Sequence, residues 1–588
     1  MPDSARPRAT QPFPATDRIH PPSMPEARRP SPRAPLHVQN RLRAARRHGH
    51  ALDKALRRAH TYAHPAGSIV RIETHISVVY LAGRYAYKLM KPVNFGFVDF
   101  TTLDARRRCC EAEIRLNRPF AGPIYRDVQA VVPLARGVAL KRAARRGTRD
   151  GVIDYAVRMR RFDQHALFSQ RLAAGVLGSA DIDAAAHALA VCHRAARRAA
   201  PVRGGRGTPY GSAALLGQQV FDALAPLERD VRSAAFVRDA GLRTWCEASL
   251  ARVAPRLDAR RAGGFVRACH GDLHLDNIVR QGRRALLFDC IEFSEALRWI
   301  DIASDLAFLV MDLRAHGRDD LANRLLTRYL DATGDFGGLA ALRLYVVYRA
   351  LVRALVAHLK TPPADDAAHA TSAPSAQPGQ RYLQLAAREA SDRRPPWLLL
   401  CHGLSGSGKS VASREFAALS GAIRISSDIE RKRAHVLDAP TLGALPPQAY
   451  TREAIDAHYA RLIALAAEVL DAGYTVLIDA TFLQSANRKR FAELARRMNV
   501  PMLILDFHAD AARLKERVKA RAAGPRDPSD AGEAVLTAQM ASAEALDAEE
   551  RRMTVQLDTD VPIEAFSDTA WWAPLWARVN AAADSSSA

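Results

Sequence analysis

The sequence has few cysteines and no long apolar run, and both shortages limit what kind of protein it is. Its 588 residues include seven cysteines, scattered along the chain with no Cys-x-x-Cys or His/Cys spacing. This pattern argues against a disulfide framework and a zinc site, and it favours a reducing, cytoplasmic location. No segment reaches the roughly 18 apolar residues that a membrane-spanning helix needs. The N-terminus also lacks the apolar core that a secretory signal requires.

What the chain has in excess is positive charge, concentrated near its start. The formal net charge is +23, from 85 basic and 62 acidic residues. Residues 1–150 hold 29 basic against 11 acidic side chains, a net +18, whereas residues 396–588 hold 22 against 25, a net −3. Residues 1–39 are rich in Pro, Arg and Ser without periodicity, which is typical of a solvated, disordered tail. Binding of nucleic acid or an anionic membrane by this basic tail is the less favoured interpretation.

Length and pattern together predict two folded regions joined by a linker. A chain of 588 residues is too long for one hydrophobic core. Residues 40–360 begin with strands and one helix and continue mainly as helices, which predicts an α+β fold. Residues 361–395 start with an Ala/Pro/Ser-rich stretch and predict a linker. Strand, loop and helix alternate over residues 396–570, which predicts an α/β fold with a parallel sheet, and residues 571–588 are predicted to be a C-terminal tail.

The first of two phosphate-handling motifs lies at residues 270–277. The run is His-Gly-Asp-Leu-His-Leu-Asp-Asn, with the His-x-Asp-x-x-x-x-Asn spacing of a kinase catalytic loop. Phosphoryl transfer needs a carboxylate near the acceptor hydroxyl and ligands for the metal ions that neutralise phosphate charge. Asp272 fits the carboxylate. Asn277 can turn back to a metal from the same loop, and Asp289, at the end of a short strand, supplies an anionic metal ligand.

This loop resembles that of the aminoglycoside phosphotransferase and choline kinase branch of kinases. The likeness includes Phe288–Phe293 and covers roughly residues 50–360. It implies a protein-kinase-like α+β fold in which Asp272 is the catalytic base. The same resemblance makes Asn277 and Asp289 the magnesium ligands.

The resemblance also implies a lysine and a glutamate in the smaller lobe. Lys88 matches the strand lysine that contacts the α- and β-phosphates, and Lys91 is a nearby competitor. Glu113 would be its helix partner, with Glu111 as the alternative. The sequence departs from many kinases in having no Gly-x-Gly-x-x-Gly loop, so the turn at residues 74–77 is the candidate phosphate lid. Two further acids are expected to hold the larger lobe together: Asp301 and Asp305.

The second motif is a complete Walker A phosphate loop at residues 403–410. It follows the apolar strand Trp397–Cys401 and opens a helix, which is the context that the motif requires. The glycines let backbone N–H groups approach phosphate oxygens, Lys409 would bridge the β- and γ-phosphates, and Ser410 would bind magnesium. The predicted nucleotide-binding residues are Gly403, Ser405, Gly406, Ser407, Gly408, Lys409 and Ser410.

Later residues indicate what this region does with the nucleotide. The apolar strand 475–481 contains one acid, Asp479, as a predicted metal ligand, and no following Glu that would activate water, which favours transfer over hydrolysis. Asp428 is placed to bind or deprotonate an acceptor hydroxyl, although it could instead cap the next helix. Arg517 lies on a predicted mobile lid, where it would neutralise the transferring phosphate. Two further candidate cations are Arg521 and, for acceptor binding, Arg488.

Residues 396–560 resemble the P-loop kinases that include zeta toxins, the kinase part of polynucleotide kinases and gluconate kinase-like enzymes. The order of the two regions resembles bacterial bifunctional aminoglycoside phosphotransferase-like/ATP-binding proteins. The resemblance implies ATP and Mg²⁺ at two sites and transfer of the γ-phosphoryl group to a hydroxyl of a small-molecule acceptor.

Two alternatives stay open. The missing glycine loop favours an N-terminal region that senses a ligand and regulates a C-terminal kinase, but the set of Asp272, Asn277 and Asp289 argues against it. The basic N-terminus and the likeness to polynucleotide kinases favour a nucleic-acid end kinase. The −3 charge of the P-loop region and the lack of a basic stretch interleaved with aromatics argue against that. The sequence indicates neither the acceptor nor the oligomeric state.

Overall fold

A computed structural model shows two folded regions that pack against each other. It describes residues 50–74, 76–94, 99–144, 151–200, 208–360, 379–435, 445–523 and 532–587. The predicted N-terminal tail at residues 1–39 lies outside the described residues, as does the part of the predicted linker at residues 361–378.

The N-terminal region opens with a six-stranded antiparallel sheet that forms a smaller lobe. Its strands, in the spatial order β1-β2-β3-β6-β4-β5, are β1 (Val70–Glu73), β2 (Ser77–Ala82), β3 (Tyr85–Met90), β4 (Tyr125–Pro133), β5 (Val138–Arg142) and β6 (Asp154–Arg160). Helix α1 (Leu103–Ala121) begins after Thr102, whose hydroxyl accepts a hydrogen bond from the Ala105 N–H. It packs against β6 and β4. The buried face of α1 carries Glu113, and the neighbouring strand β3 carries Lys88.

The larger lobe is mainly helical and holds two short antiparallel strand pairs. Its helices are α2 (Phe168–Ala173), α3 (Ser179–Ala195), α4 (Ala213–Arg229), α5 (Ala234–Asp239), α6 (Leu242–Ala262), α7 (Glu295–Arg298), α8 (Ile302–Ala315), α9 (Asp319–Thr333) and α10 (Leu339–Lys360). The strands are β7 (Val266–Ala268), β8 (Ile278–Gln281), β9 (Arg284–Leu287) and β10 (Trp299–Asp301), paired as β7 with β10 and β8 with β9. Every residue of α8 from Ile302 to Leu313 is buried, which makes this helix the centre of the lobe.

Part of the predicted linker is a packed helix. Helix α11 (Gln380–Ser391) buries one side, including Tyr382, Leu383 and Leu385, against α10 and α8. Apolar residues at this spacing form a continuous stripe on one helical face. The linker predicted for residues 361–395 therefore does not extend through α11.

The C-terminal region is an α/β layer structure around a five-stranded parallel sheet. The strands, in the order β12-β13-β11-β14-β15, are β11 (Leu398–His402), β12 (Ile423–Ser426), β13 (Val476–Asp479), β14 (Met502–His508) and β15 (Thr554–Asp558). The helices are α12 (Lys409–Ser420), α13 (Ser427–His435), α14 (Arg452–Asp471), α15 (Ser485–Met498), α16 (Ala511–Ala523), α17 (Glu533–Ser542), α18 (Ala548–Arg552) and α19 (Ala573–Ser587). Because all five strands are parallel, their carboxyl ends meet at one edge of the sheet.

The segment predicted as a C-terminal tail begins inside the core. Trp572 is completely buried, its indole N–H donates a hydrogen bond to the Phe566 carbonyl (2.9 Å), and its ring centroid lies 4.7 Å from that of Phe416. Leu575, in the first turn of α19, is also completely buried. The prediction of a tail from residue 571 is wrong, because these apolar side chains cover one face of the sheet.

All seven cysteines are free thiols, in line with the absence of a disulfide pattern in the sequence. Within the described parts of the chain, no helix combines the length and the apolar character needed to cross a bilayer.

Candidate active sites

The first candidate site lies where the 270–277 loop runs beside the segment that follows β9. The Phe288 N–H donates a hydrogen bond to the Asn277 carbonyl (3.0 Å). In the same place, the His270 Nε2 atom lies 2.9 Å from the Phe288 carbonyl oxygen. These bonds tie the two segments together and place Asp289 beside the loop.

Two buried carboxylates hold this loop and its surroundings in place. Asp305 accepts hydrogen bonds from the backbone N–H groups of His270 (3.0 Å) and Gly271 (2.8 Å). Asp301 binds the Arg260 guanidinium at 2.7 and 2.8 Å. Both acids therefore have structural partners, as expected for residues that stabilise the larger lobe.

Asp272 and Asn277 are neighbours in the structure. The Asn277 side-chain amide donates a hydrogen bond to the Asp272 carbonyl (2.8 Å) and lies 3.5 Å from the Asp272 carboxylate. The His274 Nε2 atom lies 3.5 Å from the same carboxylate. Burial works to raise the pKa of Asp272, but the charges of His274 and Arg353 outweigh it and hold that pKa well below its usual value. The carboxylate is therefore ionised at neutral pH and can accept a hydrogen bond from a hydroxyl.

Lys88 connects the two lobes. Its Nζ atom lies 3.1 Å from Glu113 Oε1 on α1 and 2.6 Å from Asp289 Oδ1 beside the loop. Lys88 and Glu113 are buried. The lysine, the helix glutamate and the strand-end aspartate that the sequence predicts thus form one connected cluster.

The alternative lysine and glutamate have other partners. Lys91 lies 2.5 Å from Glu73 at the end of β1. Glu111 accepts a hydrogen bond from Arg107 one turn earlier on α1 (2.9 Å). The geometry therefore favours Lys88 over Lys91 and Glu113 over Glu111.

A third acid, Glu292, belongs to this cluster and was missed by sequence reasoning. Its carboxylate accepts a hydrogen bond from the Cys109 thiol (3.3 Å). Burial raises the pKa of Glu292 and raises that of Glu113 to about 8, against the opposing charge of Lys88. The only available signal was its position three residues after Asp289.

The acidic cluster fits a divalent cation. Three carboxylates surround one ammonium group, and Glu113 Oε2 is buried with no hydrogen-bond partner among the described residues. Mg²⁺ prefers oxygen ligands, which carboxylate and amide side chains supply. Asn277 and Asp289 are the residues that would hold it.

The candidate phosphate lid is a tight turn between β1 and β2. The Thr74 N–H donates to the Ser77 carbonyl (2.9 Å), and the two hydroxyl oxygens lie 2.8 Å apart. His75, within the predicted turn, lies outside the described residues.

The second candidate site is the phosphate loop that joins β11 to α12. Gly403, Gly406 and Gly408 have φ values of +136°, +87° and +80°. A Cβ atom would lie 2.4 Å from the Phe507 carbonyl oxygen at Gly403 and 2.9 Å from the Leu514 carbonyl oxygen at Gly406. The loop thus needs glycine both for its backbone conformation and for space. It ends at the N-terminus of α12, where backbone N–H groups favour an anion.

Lys409 and Ser410 begin α12 and lie next to the end of β13. The Lys409 ammonium donates a hydrogen bond to the Gly403 carbonyl (2.8 Å), so the side chain folds over its own loop. The Ser410 hydroxyl donates to Asp479 Oδ1 (3.3 Å). Asp479 is buried, and its other oxygen accepts a hydrogen bond from Arg424 (2.5 Å), which sequence reasoning missed. The hydroxyl and carboxylate oxygens of Ser410 and Asp479 form a donor pair that fits Mg²⁺.

A cavity of about 1050 Å³ extends from the phosphate loop. Residues 405–410, Asp428, Asp479 and Arg517 all line it, so it brings together residues from four separate stretches that the sequence singled out. The cavity is slightly larger than the roughly 300–1000 Å³ typical of one ligand site, which leaves room for a nucleotide and a small acceptor. Its wall also includes residues that sequence reasoning missed or left without a role: Arg431, Tyr450, Tyr459, Gln484, Asn487 and Gln539.

Asp428 lies in the first turn of α13 and is partly exposed. Its carboxylate lies 3.8 Å from the Arg431 guanidinium. The residue before it, Ser427, has its hydroxyl 3.0 Å from the buried His458 Nε2 atom. Burial and the charges of Arg431 and Arg461 lower the pKa of His458 to about 3. His458 is therefore neutral near pH 7 and can accept the Ser427 hydroxyl proton in a hydrogen bond.

The three predicted arginines have different environments. Arg517 donates hydrogen bonds to the Thr559 carbonyl (2.7 Å) and hydroxyl (3.3 Å) at the cavity wall. The side chain of Arg521 lies outside the described residues. Arg488 is buried and binds Glu550 at 2.8 and 3.0 Å, so the prediction that it contacts the acceptor is wrong.

Comparisons with known proteins give a family match within each region. Residues 134–345 match the model of the phosphotransferase enzyme family, and residues 398–546 match that of an AAA domain. The first match contains Asp272, Asn277 and Asp289 but begins after Lys88 and Glu113.

Two mycobacterial relatives cover most of the chain. Uncharacterized proteins of Mycobacterium tuberculosis (strain ATCC 25618 / H37Rv) and Mycobacterium bovis are each 29% identical to it over 475 residues, which is 80% of this chain and 89% of theirs. Among solved structures, a gluconokinase from Sinorhizobium meliloti 1021 is 21% identical and covers 33% of this chain and 99% of its own, with a TM-score of 0.25. A choline/ethanolamine kinase family protein from Mesorhizobium loti is 15% identical and covers 56% and 90%, with a TM-score of 0.32.

The two family matches fall on the two folded regions, and the phosphoryl-transfer motifs lie inside them. Residues 134–345 are therefore similar to the phosphotransferase enzyme family and residues 398–546 to an AAA domain, and these matches support a kinase or phosphotransferase.

Proposed function

We propose that this chain uses Mg-ATP at two sites and transfers the γ-phosphoryl group to a hydroxyl of a small molecule. The proposal is supported by the side chains that each region brings together: a lysine, oxygen atoms that could bind Mg²⁺, and a carboxylate that could accept a hydroxyl proton. One nucleotide cannot be held by both architectures, because the phosphate loop and the kinase-like cleft bind phosphates with different backbones.

In the N-terminal site, Lys88 would contact the α- and β-phosphates while Glu113 holds its ammonium group in place. Asn277 and Asp289 would hold Mg²⁺, which neutralises charge on the phosphates. The acceptor oxygen forms a bond to the γ-phosphorus while the bond to the bridging oxygen breaks and ADP leaves with that electron pair. Asp272 would accept the proton of the acceptor hydroxyl.

In the C-terminal site, backbone N–H groups of residues 405–410 would bind the phosphates and Lys409 would reach the transferring group. Ser410 and Asp479 would hold Mg²⁺. Arg517, at the cavity wall, would neutralise charge on the phosphoryl group during transfer. Asp428 would accept the proton of the acceptor hydroxyl as its oxygen bonds to phosphorus.

The acceptor is proposed to be small in both regions. In the C-terminal region, the cavity beside the phosphate loop has a volume of about 1050 Å³, which leaves space for a compact molecule beside a nucleotide. The seven free thiols are compatible with a cytoplasmic location, which we also propose.

Variants that silence each site separately test this proposal. Purified wild type, Asp272→Ala and Lys409→Ala would be assayed for ATP turnover against aminoglycosides, sugars, nucleosides and 5′-hydroxyl oligonucleotides. Two active sites predict that each variant loses one subset of acceptors and keeps the other. If Asp272→Ala leaves every activity unchanged while Lys409→Ala removes all of them, the N-terminal region is regulatory. Turnover with oligonucleotides alone would instead favour a nucleic-acid end kinase.

A further inference from the structure

The N-terminal region contacts the C-terminal region directly beside the phosphate loop. Helix α9 of the larger lobe packs along α12, the helix that follows the loop, and against β12. The Asn323 side-chain amide donates a hydrogen bond to the Ala418 carbonyl on α12 (3.0 Å). Near that point, Gly421 also faces Asn323, and a Cβ atom there would lie 3.4 Å from the amide group, at ordinary van der Waals distance.

Arg424 on β12 joins this interface to the metal end of the phosphate-loop site. Its guanidinium donates a hydrogen bond to Asp479 (2.5 Å), lies 3.5 Å from the Asp331 carboxylate on α9, and bonds to the Ser413 hydroxyl on α12 (3.0 Å). The side chain of Arg424 is 2% exposed and those of Asp479 and Asp331 are 3% and 12% exposed. Because the other oxygen of Asp479 accepts the Ser410 hydroxyl, one arginine links the N-terminal region to both proposed metal ligands.

A second arginine holds the same residue of α9. Arg433 on α13 donates a hydrogen bond to the Asp331 main-chain carbonyl (2.7 Å). The next turn ends at Gly334, where φ is +69° and a Cβ atom would lie 2.7 Å from Arg433 Nε. Asp331 therefore contacts both β12 and α13, the strand and the helix that meet at Ser426 and Ser427, next to Asp428.

We propose that Asp331, in the phosphotransferase-like region, is a positioning residue of the C-terminal site: through Arg424 it fixes the orientation of Asp479. This inference rests on the proposed use of Mg-nucleotide at that site. It means that the metal end of the P-loop site is complete only when the N-terminal region is docked against it.

Asp331 can orient Asp479 because the two carboxylates share one buried cation, the Arg424 guanidinium. Arg424 presents a planar set of N–H donors, so a carboxylate on each side fixes the plane of the guanidinium. If Asp331 loses its charge, Arg424 is free to turn and bind Asp479 more fully, which draws that carboxylate away from Ser410. Loss of a residue that orients a metal ligand typically weakens metal affinity about 10- to 100-fold.

The test is an Mg²⁺ titration of nucleotide binding in the full chain. Binding of a fluorescent ATP analogue is measured with and without Mg²⁺ in an Asp289→Ala background. This substitution removes a proposed metal ligand of the N-terminal site. Asp331→Asn should raise the Mg²⁺ concentration for half-maximal binding at least tenfold and leave the Mg²⁺-free affinity unchanged. Asp320→Asn, on the exposed side of α9 where Asp320 pairs with Arg318, is the matched control and should change neither value.

Equal titrations for Asp331→Asn, Asp320→Asn and the background chain would overturn the inference and leave the proposed function standing. A background chain that binds no Mg-nucleotide, although Lys409 is intact, would overturn both. If Asp331→Asn does not fold, Asp331→Glu keeps the charge but displaces the carboxylate by one methylene. It should raise the half-maximal Mg²⁺ concentration at least threefold, and an unchanged value would overturn the inference.

Discussion

In the proposed mechanism, Asp272 is the side chain of the N-terminal site that accepts the proton of the acceptor hydroxyl. We expect Asp272→Asn to lower the turnover of that site about 10²- to 10⁴-fold, because the amide cannot accept the acceptor's proton. The assay uses a Lys409→Ala background, so that only the N-terminal site is active. Asp276→Asn in the same loop is the matched control, because Asp276 also lies near His274 (3.6 Å) but is largely exposed. Equal losses in both variants would contradict the proposed role.

Gly403 tests whether the phosphate loop needs glycine for space as well as for conformation. Gly403→Ala places a Cβ atom 2.4 Å from the Phe507 carbonyl oxygen, so we expect it to abolish nucleotide binding at the C-terminal site. Gly473→Ala is the control, because φ is +83° there and no atom lies within 4 Å of the added Cβ. It should cost stability by about 1 kcal/mol from backbone strain and leave nucleotide binding intact. Nucleotide titration in an Asp289→Ala background separates the two outcomes.

His458 gives the C-terminal region a specific pH dependence of stability. Its folded-state pKa of about 3 lies below the value of 6.5 expected for the unfolded chain. As the pH falls below 6.5 the unfolded state binds a proton that the folded state does not, so this residue lowers the free energy of unfolding by up to about 1.4 kcal/mol per pH unit. The effect is absent above pH 6.5 and is complete near pH 3.

The His458→Gln variant keeps a hydrogen-bond acceptor near Ser427 but has no titrating ring. Urea unfolding between pH 7 and pH 5 should therefore show a smaller loss of stability for the variant than for the wild type. Parallel curves would show that His458 does not titrate in this way.

Among the elements, helix α11 shortens the predicted linker, because Gln380–Ser391 form a packed helix. Leu383 is completely buried against α10 and α8, whereas its neighbour Gln384 is exposed. We expect Leu383→Ala to lower the free energy of unfolding by about 2–5 kcal/mol. The Gln384→Ala control should change it by less than about 0.5 kcal/mol, as measured by urea unfolding. A flexible linker would show no difference between the two variants.

Sequence reasoning found local elements well and long-range packing poorly. The strand before the phosphate loop and the helix after it follow from an apolar run and glycines that lie next to each other in the chain. The tail from residue 571 was mispredicted because Trp572 is buried against Phe416, more than 150 residues earlier, a contact that no local pattern shows. The linker was predicted to be too long for the same reason, because the apolar stripe of α11 is buried by α8 and α10.

The residues of the candidate sites divide in the same way, into those in local motifs and those defined by long-range contacts. Asp272, Asn277, Lys409 and Ser410 lie in contiguous motifs with known chemistry and could be predicted. Arg424 could not, because its importance comes from partners 55 and 93 residues away in the chain. Arg488 was misassigned because its charge is satisfied by Glu550, which is equally remote in sequence.

At the scale of the whole molecule, the two regions share an interface that reaches one of the proposed sites. Asp331 of α9 contacts Arg424, and Arg424 contacts Asp479 at the phosphate loop. The lobes of the N-terminal region are in turn joined by Lys88 and Asp289. We propose that this one packed chain holds two separate phosphoryl-transfer sites.

The number of nucleotides bound per chain is the direct test of two sites. Calorimetric titration of a non-hydrolysable ATP analogue with Mg²⁺ should give two nucleotides per wild-type chain, and one each for Lys409→Ala and Asp289→Ala. One nucleotide per wild-type chain, lost entirely in Lys409→Ala and unchanged in Asp289→Ala, would contradict the two-site proposal.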